Sequence, residues 1–129
     1  MIEKLFGGDN FIAQTRALDA AAMRHQASAN NLANANTANF KRQEVLFEGR
    51  LSSALTRGKD RNGMSLGESV ANVRPQIVTM NTTSTRADGN NVDMEAENVN
   101  MAMNTLKFEA ITQSVAGYFS ALKSVINGR

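Results

Sequence analysis

Ala29-Asn30-Asn31-Leu32-Ala33-Asn34-Ala35-Asn36-Thr37-Ala38-Asn39-Phe40-Lys41 is the stretch on which the fold turns. Five of the ten residues from Asn30 to Asn39 are asparagine, a poor helix former because its amide competes for the backbone. Yet the stretch continues a helical pattern. Phe11, Leu18, His25 and Leu32 recur every seven residues, with Thr15, Ala22, Ala29 and Asn36 four places behind each, an apolar-to-small stripe down one helix face. Asparagines held on a helix must gain their energy from specific contacts. Their amides carry both donors and an acceptor, and the neighbouring alanines let another chain come close. Asn30, Asn31 and Asn34 are therefore expected to join subunits through buried amides. The competing reading is a polar helix end fraying into a loop.

Working outward, Asp9 or Asn10 can cap the first helix, which spans about 9–36. A shorter amphipathic piece follows over 44–56, Val45-Leu46-Phe47 through Leu51 and Leu55, read as one or two helical turns broken near Gly49. From 57 to 91 the composition shifts to glycine, the only proline (Pro75) and a Thr/Ser run. That reads as linker, with one strand expected over Gln76–Met80. A second long helix is expected over about 92–127, capped by Asn91 or Asp93, with Glu95 and Glu97 at the positive end of its dipole. Its seam, Met101, Asn104, Phe108, Ile111, Val115, Tyr118, Leu122 and Val125, alternates spacings of three and four, which is a heptad pattern. Phe119 and Ile126 widen it, and Gly128 stops the helix. The expected fold is mainly α: a single chain whose long N- and C-terminal helices pair in a coiled-coil-like bundle, with a flexible or short-stranded middle.

Composition narrows the function. With 129 residues there is room for one domain. Six Phe, one Tyr and no Trp leave few large anchors, so alanines and methionines carry much of the apolar work. The net charge of +2 is too near balance to point to nucleic acid. Lys41 to Arg61 carries six positive and three negative residues, and Ala87 to Arg129 three positive and five negative, an asymmetry that favours association of unlike ends. The absence of cysteine excludes disulfides and thiolate sites. With one histidine, on the helical stripe, neither a metal site nor a Cys/His nucleophile is expected. The pairs Glu95/Glu97 and Glu44/Glu48 have the spacing of solvated faces, and no glycine-rich phosphate loop follows a strand. No catalytic residue, cofactor or small-molecule substrate is expected.

The run Ala29-Asn30-Asn31-Leu32-Ala33-Asn34-x-x-Thr37, followed by Phe40-Lys41, resembles the N-terminal signature of bacterial flagellar rod and hook proteins. Those chains usually carry Pro-Gly where this one has Ala38-Asn39; asparagine tolerates the left-handed conformation, so the turn is expected at Asn39. Asp88-Gly89-Asn90-Asn91-Val92-Asp93, then Glu97, Asn104, Leu106, Phe108 and Val125-Ile126-Asn127-Gly128-Arg129, is similar to the end of a proximal rod protein of that family.

The resemblance implies a structural subunit of the flagellar basal body, built for motility. It implies export without a cleaved signal peptide and assembly into the periplasmic rod. Its partners are then further copies of itself, other rod proteins, the membrane-ring junction protein and the export gate. Ala29, Asn30, Asn31, Leu32, Ala33, Asn34, Thr37, Phe40 and Lys41 form the assembly motif. Phe47 and Leu51 resemble the short Phe-x-x-x-apolar element that engages the export gate. Interlocked helices are expected to transmit torque around an export channel. A rod-associated peptidoglycan hydrolase is disfavoured because no carboxylate pair is placed in a groove. A non-flagellar coiled-coil adaptor is the alternative, since the heptads fit it equally well. Two helices facing only each other bury little against the entropy of ordering them, so neighbouring subunits are expected to cover their other faces.

Overall fold

The computed structural model describes residues 8–56, 66–81, 84 and 86–128. Two long antiparallel helices, α1 (Asp9–Ala33) and α4 (Met94–Ile126), form its frame. Between them in sequence come β1 (Gln43–Leu46), α2 (Glu48–Thr56), α3 (Leu66–Ala71) and β2 (Gln76–Thr79). The architecture is mainly α with a short two-stranded sheet. At 1.5 Å per residue α4 runs roughly 50 Å and α1 roughly 38 Å.

Contacts along their length fix the antiparallel register of α1 and α4. Phe11 stacks on Tyr118 with ring centroids 5.2 Å apart and meets Phe119 edge-on at 5.7 Å. Gln14 Nε2 donates to Ser114 Oγ at 2.8 Å, and Asn104 Nδ2 to the Ala21 carbonyl at 2.8 Å. Asp93 caps α4, its carboxylate accepting from the Glu95 and Ala96 amides. Among the seam residues, Asn104 is buried, and Met101, Ile111, Val115, Tyr118 and Leu122 are partly covered. Two seam positions depart from the expectation: Phe108 is 37% exposed and Val125 76%. Phe11, near the start of α1, already lies against Tyr118, so Val125, two turns further along α4, reaches past the described part of α1.

The first helix differs from its reading in three ways. Its N-cap is Gly8, without a side-chain cap, and Asp9 is already helical. It ends at Ala33 rather than near Asn36, where the backbone tightens into turns, the Ala35 amide donating to Leu32 O and the Thr37 amide to Asn34 O. The row Phe11, Leu18, His25 and Leu32 is only half-buried, and Thr15, Ala22, Ala29 and Asn36 are exposed. The covered face instead belongs to Ala20, Ala21, Ala27 and Asn31. Small side chains there admit the strands and short helices at close range, which a stripe of leucines could not.

The piece over 44–56, expected as one or two helical turns broken near Gly49, is a strand followed by a helix. Val45 and Phe47 are buried while Glu44, Leu46 and Glu48 turn outward or toward the edge, the period of two that belongs to a strand. Its antiparallel partner is β2, Gln43 opposite Thr79 and Leu46 opposite Gln76. Gly49 falls in the first turn of α2 and does not break it. The 57–91 segment contains the expected strand, as β2, and also a short helix, α3; residues 57–65 lie outside the described residues. The apolar core sits between α1 and this middle segment: Ala20, Ala27, Val45, Phe47, Ala54, Val70 and Val73 are buried together.

Candidate functional site

The asparagine run ends at a corner where α1 stops, β1 begins and the segment before α4 crosses both. Asn31 is fully buried, and its amide faces the outer edge of β1. Its Nδ2 donates to the Gln43 carbonyl at 2.8 Å while its Oδ1 accepts from the Gln43 amide at 2.8 Å. The side chain thus reproduces the pair of bonds that a neighbouring strand would make. Asn30 Nδ2 reaches Gln43 Oε1 at 2.9 Å. Asn34 Nδ2 folds back onto Asn30, to its carbonyl at 2.9 Å and its Oδ1 at 3.0 Å, and Thr37 Oγ1 donates to Asn34 Oδ1 at 3.2 Å.

The second half of the corner comes from the other end of the chain. Asn90, also fully buried, donates from Nδ2 to the carbonyls of Asn34 (2.9 Å), Ala35 (3.1 Å) and Thr37 (2.9 Å). These carbonyls lie just past the end of α1, and that of Asn34 also accepts from the Thr37 amide at 2.9 Å. Asn90 Oδ1 accepts from the Val92 amide at 2.8 Å. Arg86 Nη1 adds a bond to Ala35 O at 3.0 Å. Asn91 bridges the sheet where its ladder ends, its Oδ1 accepting from Arg42 N at 2.6 Å and its Nδ2 donating to Met80 O at 2.7 Å.

The turn that lets these segments meet uses two left-handed residues. Asn39 has φ 61°, as the departure from Pro-Gly requires, and its amide donates to Asp88 O at 2.8 Å. Opposite it Gly89 has φ 73°, and a Cβ there would lie 2.7 Å from Asn39 Oδ1. The left-handed conformation favours glycine at 89, and a larger residue there would also have to push the Asn39 side chain aside. Lys41 Nζ closes the turn on Gly89 O at 2.7 Å.

Charged groups flank the amide network, one pair exposed and one largely buried. Arg86 holds Asp88 by two nitrogens, the shorter contact at 2.7 Å. That bond, aided by the Asn90 amide, lowers the Asp88 pKa below its ordinary value. At the start of α4, Glu97 is 1% exposed and paired with Arg42, which also reaches Glu44 at 2.9 Å. Burial opposes the Arg42 charge, but Glu97 and Glu44 outweigh it and raise its pKa. Among the described residues no three His, Asp or Glu side chains converge as metal ligands, and no helix is long and apolar enough to cross a membrane.

Of the motif residues, Asn30, Asn31, Asn34, Thr37 and Lys41 thus join one intrachain network. Leu32 and Phe40 are half-buried, and Ala29 and Ala33 are exposed. The amides expected to bind a neighbouring subunit are bonded within the chain. Phe47, expected from the resemblance to engage an export gate, is 4% exposed in the core, with Leu51 packed against it. Sequence reasoning assigned no role to Asn90, Arg86 or Gln43, and offered Asn91 only as a cap for α4, a place that Asp93 takes. The signal for the two asparagines was present, because Asn90-Asn91 repeats the doublet Asn30-Asn31 just before the Asp93 cap.

The two stretches that meet at this corner are the ones that carried the family resemblance. No protein-family model matches the sequence. The chain is 33% identical over 122 residues to the flagellar basal body rod protein FlgB of Borrelia hermsii, a match covering 86% of this chain and 90% of that protein. The chain belongs to the FlgB family. It is also 30% identical to FlgB of Bacillus subtilis (strain 168), over 87% of this chain and 88% of that one. FlgB of Yersinia ruckeri is 30% identical over 98% of both chains. For a FlgB-family chain the corner gives the two terminal motifs a shared structural task, which is to lock the helix pair in register.

Proposed function

We infer that this chain is a structural subunit of the bacterial flagellar basal body, a component of the proximal rod. The observation that carries the reading is the corner itself. Motifs from opposite ends of a FlgB-family chain interlock through Asn31 and Asn90, and they hold the long helices α1 and α4 as an antiparallel pair. Such a pair is a stiff element with an exposed outer face on each helix, suited to lateral packing and to carrying torque.

The finer parts of the reading follow from the same arrangement. Copies of the chain pack together through their terminal helices. Other rod proteins, the membrane-ring junction and the export gate are the further partners, and the assembled helices enclose the export channel. The role is mechanical rather than catalytic. The subunit travels to the rod without a cleaved signal, unfolded, because its candidate export element Phe47/Leu51 lies in the core once folded.

The test is genetic and structural. Deleting the gene should leave basal bodies with a membrane ring but no rod above it, and the wild-type gene should restore the rod. Phe47→Ala should be made but retained in the cytoplasm. Complete rods in the deletion strain would overturn the rod assignment. Normal secretion of Phe47→Ala would return Phe47 to a packing role alone.

A further inference from the structure

Helix α4 carries a second heptad row that its own chain does not cover. Val99, Met103, Leu106 and Ala110 follow one another at spacings of four, three and four. Val99 is 58% exposed, Met103 51% and Leu106 67%. At about 100° per residue this row lies on the side of α4 roughly opposite the seam that meets α1. Large apolar side chains aligned in a ridge, rather than scattered singly, mark an interaction face.

The same molecule carries a matching trough. On the side of α1 turned away from the core, Thr15, Asp19, Ala22, Gln26, Ala29 and Ala33 are all exposed, a row of mostly small side chains into which a ridge can settle. The polar groups match as well. Lys107 flanks the ridge and bonds no acceptor among the described residues, and Asp19, in the trough row, is half-exposed and held from one side by Arg16 at 3.2 Å, leaving its other oxygen open to a second cation. When α4 of one copy is laid antiparallel on α1 of another, Lys107 falls opposite Asp19. Met103 and Leu106 then bracket Ala22, Asn100 faces Gln26, and Val99 faces Ala29. This register repeats the one inside the chain, where Ala21 meets Asn104 and Gln14 meets Ser114.

We propose that the Val99–Met103–Leu106 ridge of each subunit docks on the Ala22–Ala29 row of a second copy, in the same register as the intrachain pair. The inference rests on the rod-subunit reading and deepens it by naming the two faces. Because ridge and trough differ, the contact is heterologous and propagates from copy to copy instead of closing as a dimer. Because the registers agree, neighbouring copies sit at one level, and α1 and α4 alternate along a continuous wall.

The chain has no cysteine, so the contact is open to cross-linking between two single-cysteine variants of the full chain, Ala22→Cys and Met103→Cys. Oxidising the mixture at concentrations where sedimentation shows self-association should give covalent dimers far in excess of either variant alone. Leu106→Asp should weaken self-association on the order of tenfold or more with unchanged helix content and melting. Lys107→Glu should weaken it about threefold, and adding Asp19→Lys should restore it. Self-association without mixture-specific cross-links, or undiminished by Leu106→Asp, overturns these faces and leaves the rod reading standing. A wild-type chain that stays monomeric at every concentration overturns copy-to-copy docking itself. Loss of the rod in the deletion strain would still test the broader assignment separately.

Discussion

The corner and the outer half of α4 invert the usual distribution of polarity. At the corner, Asn31 and Asn90 are fully buried and their amides are bonded to backbone on both donor and acceptor sides. Along α4, Val99, Leu106, Val125 and Ile126 are 58–78% exposed. Buried amides are directional and demand one arrangement of their partners, whereas apolar side chains accept many. At the corner the chain fixes its shape with hydrogen bonds, and along α4 it leaves apolar surface exposed. Fold specificity and association occupy separate residues, and mutations should separate them.

The sharpest way to break that separation is at Asn90. Asn90→Ala removes the donor to three carbonyls and the acceptor for Val92 N. With unsatisfied buried groups costing roughly 1–3 kcal/mol each, a loss of about 3 kcal/mol or more is expected in urea unfolding. Gly89→Ala comes next. It forces a side chain into a left-handed conformation and against Asn39 Oδ1, at a cost of about 1–3 kcal/mol, read as a lower thermal midpoint. Asn39→Gly should change stability by only about 0.5 kcal/mol, since φ 61° suits glycine at least as well.

Changes on the other side of the comparison should do the reverse. Val125→Ser and Ile126→Ser alter side chains that are 76% and 78% exposed, so unfolding of the single chain should shift by about 0.5 kcal/mol or less. Any large effect should appear only in rod assembly. A drop in monomer stability comparable to that of Asn90→Ala would show that this end of α4 also serves the fold.

The smallest expected effect is in pH. Asp88 has a lowered pKa, chiefly from Arg86 and then the Asn90 amide. A carboxylate depressed by folding stabilises the native state above its unfolded pKa, and that stabilisation is lost as pH falls through the folded value. Acidification below the ordinary carboxylate range, about pH 4, should therefore loosen the corner slightly. Asp88→Asn should flatten that acid limb of the thermal-midpoint profile.

The parts of this fold legible in the sequence are those set by local pattern. The heptad seam of α4, its Asp93 cap and the left-handed turn at Asn39 each depend on residues a few positions apart. Strand β1 was not legible. Val45-Leu46-Phe47 also fits a helical turn, and its partner β2 lies some thirty residues away, where no local propensity reports the pairing. The asparagine run was recognised as a site of specific contacts, but an amide fits a neighbouring subunit and its own backbone equally well in sequence. What decides between them is Gln43, brought to Asn31 by the turn, and Asn90, delivered from the far end of the chain. The buried alanine face of α1 was hidden for a similar reason, because Phe11, Leu18 and Leu32 form the more hydrophobic row although tertiary packing covers Ala20 and Ala27 more fully.

The central claim is that the asparagine amides hold the single chain in shape rather than joining subunits. Urea unfolding of dilute Asn31→Ala, followed by circular dichroism, tests it most directly, with the exposed Asn98→Ala as control. Losing both bonds to Gln43 should destabilise the monomer by roughly 2–4 kcal/mol for its two stranded groups, equally at every protein concentration, and Asn98→Ala should match wild type. An Asn31→Ala monomer as stable as wild type, with a defect that emerges only when subunits assemble, would contradict the account and move the asparagines to the subunit interface.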